Sequence, residues 1–179
     1  MVELHREAPL LESCAELSAT IMGKKPVHEP RRKERSIPRE DALSLLERAE
    51  YGVLSTIGAD HQPYGIPLSF CLVGNDLYFH CALEGHKLVN LEHHPKVSFC
   101  VVGETRVLPG KFATEYESAV LFGTATEVFD AEKQAGLEGL LQKYSSDHFE
   151  NGLKYIKALD GKTKVFRVSI DAVSGKARR

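Results

Sequence analysis

Between positions 38 and 49 apolar side chains return with helical spacing, Ala42, Leu45, Leu46 and Ala49 falling on one face. Pro38 suits a first helical turn and Glu40 and Asp41 favour its positive end, so the pattern predicts a helix there. The period then changes from helical to alternating. Residues 52–57, 64–73 and 77–81 read as three strands, separated by the turn-rich stretches 58–63 and 74–76. Residues 84–94 predict a short helix stopped by Pro95, and 96–102 a fourth strand with Val97, Phe99 and Val101 pointing inward. Two further strands are expected at 118–129 and 164–170, separated by helical stretches near 130–144 and 147–158. Six strands linked by successive hairpins, with helices at the periphery, predict a mainly β fold. A closed antiparallel barrel is the expected form, because closure removes exposed sheet edges.

The second strand carries more than a fold signal. Its even positions Tyr64, Ile66, Leu68, Phe70 and Leu72 are bulky, whereas its odd positions Gly65, Pro67, Ser69 and Cys71 are small. One face then packs the core. Against the other a flat aromatic ring fits, with main-chain groups within hydrogen-bonding reach, or else a second sheet or a partner chain. Pro67 removes a ladder donor and marks an edge or bulge, leaving a neighbouring carbonyl for a ligand.

By the same alternation Leu77, Phe79 and Cys81 face inward while Tyr78 and His80 share the opposite face. The chain next turns through Gly85 into the short helix, with Lys87 in its first turn. Unpaired N–H groups, the helix dipole and a lysine together make an anion site suited to a phosphate, and Gly85 permits the close approach or positive φ of such a turn. A solvated lysine is the alternative reading.

Composition changes this picture little. The chain has 179 residues, 42% hydrophobic and 27% charged, enough for one ordinary globular domain. With 23 basic and 25 acidic side chains the net charge is −2, which gives no reason to expect nucleic acid or a membrane surface as partner. No apolar run approaches the ~20 residues of a membrane span. The four cysteines form no C-x-x-C pair and the N-terminus lacks a signal-peptide pattern, so reduced thiols in a cytoplasm are expected. Residues 1–30 read as an N-terminal arm, within which Met22 is an alternative start, and 31–179 as the folded domain. The basic run at 31–35 is short and without interleaved aromatics, which favours a solvated strand or an interface arm over a nucleic-acid patch.

The ordered series Arg31-Arg32-x-x-Arg35, Gly52-Val-Leu-Ser-Thr, Pro63-Tyr-x-x-Pro-Leu-Ser-Phe70, Leu77-Tyr-Phe-His-Cys-Ala82, Gly85-His-Lys87, Asn90-Leu and Pro95-Lys-Val97 resembles the nitroimidazole-resistance (Nim) branch of the pyridoxamine-phosphate-oxidase-like flavoproteins. Tyr116-Glu-Ser118, Phe122-Gly-Thr-Ala125 and Ile170-Asp-x-x-Ser-Gly-Lys176 extend the likeness over about residues 31–176. The resemblance implies an FMN-binding split barrel that works as a homodimer, with FAD as the alternative cofactor and the flavin lying between the two chains. It further implies that Lys87 holds the FMN phosphate, that the backbone of Pro67, Leu68 and Ser69 lines the isoalloxazine, and that Ser118 or its neighbours reach in from the facing chain.

The same resemblance puts His80 beside the flavin and the substrate. Imidazole titrates near neutral pH, which suits a proton donor or substrate anchor; a hydrogen-bonded structural histidine is the alternative. The spacings of His80, Cys81, His86, His93 and His94 match no zinc pattern, so a metal is not expected. Cysteines 71, 81 and 100 sit in strands, where a free thiol acts as a small apolar residue.

The expected activity is therefore FMN-dependent reduction of a small, nitroaromatic-type acceptor, with reduced nicotinamide or another compound as electron donor. A true pyridoxamine-phosphate oxidase is disfavoured, because residues 168–179 lack the arginine-rich, proline-containing C-terminal motif of that enzyme. Two alternatives stay open. One is a flavin-binding protein without fast turnover; the other is a haem-handling split barrel with His86 or His93 as ligand.

Overall fold

The computed structural model describes residues 31–159 and 161–179. The arm expected at 1–30, with the alternative start at Met22, lies outside the described residues. The basic run forms a single turn, Lys33–Arg35, and leads into a two-residue strand β1 (Ser36–Ile37), which the sequence pattern does not reveal. Helix α1 (Arg39–Arg48) follows, and its apolar face of Ala42, Leu43, Leu45 and Leu46 is buried. Then come β2 (Gly52–Ile57), β3 (Pro63–Leu68), β4 (Cys71–Val73), β5 (Asp76–Cys81), α2 (His86–His93), β6 (Lys96–Leu108), β7 (Ala113–Val128), α3 (Asp130–Ser145), α4 (Phe149–Ala158) and β8 (Lys164–Arg178).

The eight strands form one antiparallel sheet in the order β3-β2-β6-β7-β8-β5-β4, with β1 added beside the far half of β8. The mainly β antiparallel barrel with peripheral helices is as expected, with eight strands rather than six. The strand order ends at β3 and β4, which the chain itself connects through Ser69 and Phe70. The single strand expected over 64–73 is therefore two. The reason lies at Phe70: its N–H donates to the Tyr144 hydroxyl at 3.0 Å, and that hydroxyl also contacts the Phe70 carbonyl at 3.0 Å. Both groups that a ladder would pair are taken by one side chain of α3. Side-chain alternation breaks at the same point, so Phe70 enters the main core while Cys71 packs beneath α3 with Tyr78, Val128, Leu140 and Val165. Cys71 is thus removed from the small-residue face on which the alternation placed it.

The sheet wraps around one core fed by β2, β5, β6, β7 and β8 and plugged by α1. Phe70 meets Phe99 edge-on at 4.7 Å, and Phe79 stacks on Phe166 at 5.4 Å. Each such fully buried ring contributes about 1.5–3 kcal/mol of transfer free energy. The inward set Val97, Phe99 and Val101 is as expected, but β6 and β8 run well past their expected ends and β7 begins before its expected start.

Helix α3 lies close on β4 and β5 because two of its residues have no side chain. A Cβ on Gly136 would stand 2.8 Å from the Tyr78 ring, and one on Gly139 2.6 Å from Val73. Tyr78 and Arg167 then both bond Glu132, at 3.1 and 2.8 Å, which fixes the start of the helix over the sheet. Tyr144 fixes its end, donating to the Glu50 carbonyl at 2.6 Å besides its contacts to Phe70. Tyr144→Phe leaves these groups without their partner. It is expected to lower unfolding free energy by about 1–3 kcal/mol, measured as a reduced urea midpoint at unchanged slope.

Candidate functional site

His80 is the penultimate residue of β5 and points away from the core, opposite Val165 of β8. Directly after β5 the chain turns at Gly85, whose φ of 140° is a conformation that side-chain-bearing residues rarely adopt. No atom lies within 4 Å of where its Cβ would stand, so the backbone angle rather than crowding selects glycine. The turn caps α2 and sets Lys87, half-buried, in the first turn. A helix start of this kind presents N–H groups and a partial positive charge to an anion, and Lys87 adds a full charge.

Helix α2 is tied to the sheet by a buried polar relay. The Asn90 amide donates to the Thr56 hydroxyl at 3.0 Å, and that hydroxyl donates to the Tyr64 carbonyl at 3.3 Å. Tyr64 also lays its ring 4.3 Å from that of His86. The relay therefore fixes the position of Lys87 relative to β3, the strand carrying Pro67 and Leu68. Of these, Pro67 is exposed opposite Val53 and Leu68 half-buried against the core. Ser69, exposed, follows the end of β3.

Ser69 and His80 line one cavity of about 850 Å³, roofed by α3 and α4 through Leu137, Leu140, Tyr144, Leu153 and Ile156. At its rim stand two strongly exposed rings, Phe129 and Tyr155. The volume is that of an ordinary small-molecule site. Sequence reading reached its floor and not its roof, since 130–144 and 147–158 carried only a helix signal.

The His80 imidazole sits below its ordinary pKa, first because the surrounding protein desolvates it and second because the Lys87 cation is near. The residue as a whole is nevertheless exposed. At neutral pH the imidazole is predominantly uncharged, and it gains a proton as the pH falls. Lys87→Gln removes the second cause only, so it is expected to move the His80 titration part of the way back up; the Cε1 proton resonance followed across pH measures this. The thiols of Cys71, Cys81 and Cys100 are all raised by burial, Cys71 to about 12, which leaves them protonated and apolar in character. Among the described residues no group of three or more His, Cys, Asp or Glu could hold a metal ion, and no helix is long and apolar enough to cross a membrane.

Ser118 stands apart. It lies on β7 opposite Lys176 of β8, whereas His80 lies opposite Val165. Eleven residues of β8, 176 minus 165, separate the two positions, roughly 35 Å at ~3.3 Å per residue. Within one chain Ser118 does not reach the site. It shares instead the outer surface of β3, β2, β6 and β7, where the register lines up Gly65, Ser55, Ser98 and Phe122 in one row and Pro67, Val53, Cys100 and Val120 in the next. These eight positions carry no charge, and Val102, opposite Ser118, is 59% exposed.

The pattern of a known family, described as pyridoxamine 5'-phosphate oxidase, matches residues 38–177. Among solved structures, a candidate 5-nitroimidazole antibiotic resistance protein of Bacteroides thetaiotaomicron superposes with a TM-score of 0.65 at 22% identity, over 79% of this chain and 85% of the other. An FAD-binding protein of Mesorhizobium loti gives 0.58 at 22% identity, over 81% and 98%. An FAD- and haem-binding protein of Mycobacterium smegmatis gives 0.68 at 21%, over 82% and 74%. At these identities the likeness to solved structures establishes a shared fold. No curated protein matches the chain.

Proposed function

The chain belongs to the pyridoxamine 5'-phosphate oxidase family, and from that premise we propose that it is a homodimeric, FMN-dependent oxidoreductase acting on a small, nitroaromatic-type acceptor. The observation that carries the reading is that Ser69, at the end of the shaved strand, and His80 line one largely apolar cavity of about 850 Å³, while Lys87, in the first turn of α2, lies near enough to His80 to shift its titration. The helix start suits a ribityl phosphate and the shaved strand the face of a fused ring, so the residues present fit a flavin mononucleotide. When bound, FMN supplies the redox chemistry, taking electrons from a reduced nicotinamide or similar donor and delivering them to the acceptor.

The protein's own groups do the rest. Lys87 and the N–H groups of α2 bind the phosphate and so anchor the cofactor. The roof of α3 and α4 keeps water from an acceptor held against His80, and the imidazole hydrogen-bonds that acceptor or gives it a proton. Phosphate bound at Lys87 offsets the lysine's charge, which raises the His80 pKa and makes protonation easier in the loaded protein.

The outer surface of β3, β2, β6 and β7 supports the dimer, since its row of small and apolar residues runs from Pro67 through Val53 and Cys100 to Val120. That arrangement gives Ser118 a role in the partner's site, which its distance from His80 within one chain denies it. Stopped-flow mixing of the FMN-loaded protein with NADH or NADPH, followed by a nitroaromatic acceptor, tests the activity. Bleaching at 450 nm and recovery on adding acceptor are expected, whereas bound flavin that neither donor reduces points to a binding protein without turnover.

A haem-handling reading draws on the FAD- and haem-binding protein of similar fold and on His86 and His93, both exposed on α2. Haemin titration separates it: a sharp Soret band lost in His86→Ala or His93→Ala supports haem, and a broad unshifted one supports flavin alone.

A further inference from the structure

The hairpin between β6 and β7 ends in apolar side chains that lie outside the core. Val107 is 68% exposed, and Phe112, the left-handed residue of the hairpin with φ of 49°, is 98% exposed. With Leu108 and Pro109 they line a groove of about 480 Å³. Arg35, from the turn before β1, and Arg178, from the end of β8, line it as well. Among the described residues no carboxylate lines the groove, and the nearest ones along β7 are engaged elsewhere, Glu115 with Arg106 at 2.7 Å and Glu117 with Arg48 at 2.6 Å. The surface is apolar with positive charge at its wall. What fits it is an apolar stripe that carries negative charge.

The chain itself contains such a stripe. Arg31, the first described residue, lies four positions before Arg35, so the segment preceding it enters the fold beside this groove. In that segment Leu10, Cys14, Leu17 and Ile21 recur with helical spacing, and Glu12 and Glu16, both negative, are the only charges between Pro9 and Gly23. A helix of this length is marginal alone in water and needs an apolar surface to lie on. Residues 23–30, with Gly23, Pro26 and Pro30, end the helical pattern; fully extended they span at most roughly 29 Å, enough to fold the stripe back along the hairpin. We propose that residues 10–21 of the chain's own N-terminal arm dock in this groove, their apolar stripe against Val107, Leu108 and Phe112 and their two carboxylates within the field of Arg35 and Arg178. Cover from the same chain removes an exposed apolar surface at the hairpin tip.

Cys14, on the stripe, reports the docking in the full chain. Iodoacetamide labelling read by peptide mass spectrometry should find it protected, and Phe112→Ser, which removes an exposed ring and leaves the core intact, should speed its labelling by roughly tenfold. Arg35→Gln and Arg178→Gln should each speed it by about two- to fivefold. Cys100, half-buried on β6, should label at one rate in wild type and in all three variants, which checks that each is folded. Dilution should leave Cys14 protected, because arm and groove belong to one chain. A benzophenone amino acid in place of Phe112 should crosslink on illumination to residues 10–21 of the same chain. Cys14 labelled as fast in wild type as in a synthetic peptide of residues 1–30 overturns the proposal, as does an unchanged rate in Phe112→Ser. Protection lost on dilution, or crosslinks formed only between chains, also overturns it, because the groove then holds a second copy.

Discussion

His80→Ala is expected to keep its flavin and to lose acceptor reduction by ~10²–10⁴ per bound cofactor, the range a positioned proton donor supplies. The side chain is outside both core clusters, so its removal opens no cavity in the fold. The pH profile distinguishes a chemical role from a structural one. Because burial holds the imidazole below its ordinary pKa, while in the loaded protein the bound phosphate offsets the Lys87 cation, the wild-type rate per flavin should climb as pH falls toward that value. In His80→Ala the climb should disappear. A variant that sheds FMN or unfolds while its rate per remaining flavin is unchanged shows that His80 serves structure only.

Lys87→Ala acts on binding. The loss of one charge-assisted contact, about 1.5–3 kcal/mol, corresponds to roughly a ten- to hundredfold rise in the FMN dissociation constant. The dipole of α2, worth about 0.3–1 kcal/mol, survives the substitution and cannot make up the difference. Turnover at saturating FMN should change far less than affinity. Fluorescence quenching on titrating FMN into wild type and variant reads the constant directly; equal constants remove Lys87 from the phosphate site.

The elements that bury one face were legible in the sequence, and those governed by a distant side chain were not. Val97, Phe99 and Val101 alternate because β6 has one wet and one dry face, and Ala42, Leu45 and Leu46 recur because α1 plugs the core. Residues 64–73 alternate as well, yet the strand breaks at Phe70 because Tyr144, 74 positions later, takes both its backbone groups. No local pattern carries that. The antiparallel barrel was legible from the run of hairpin-linked strands, and in the proposed dimer a second copy covers the small and apolar rows on the outer face of β3, β2, β6 and β7. Of the expected site residues, Ser69 and His80 line one cavity and Lys87 lies near enough to His80 to shift its titration, while Ser118 lies far along β7. The roof of α3 and α4 escaped notice because its cavity-facing leucines read equally well as ordinary helix packing. The phosphate contact of Lys87 and the chemistry of His80 rest on the family likeness together with this geometry, and the variants above test them.

The central claim is a flavin held by a pair of chains, and light scattering coupled to size exclusion with simultaneous absorbance at 280 and 450 nm tests it most directly. After incubation with excess FMN the account predicts one species of twice the 19.9 kDa chain mass carrying one flavin per chain. A dimer or monomer that elutes colourless, or a monomer that retains the flavin, contradicts it.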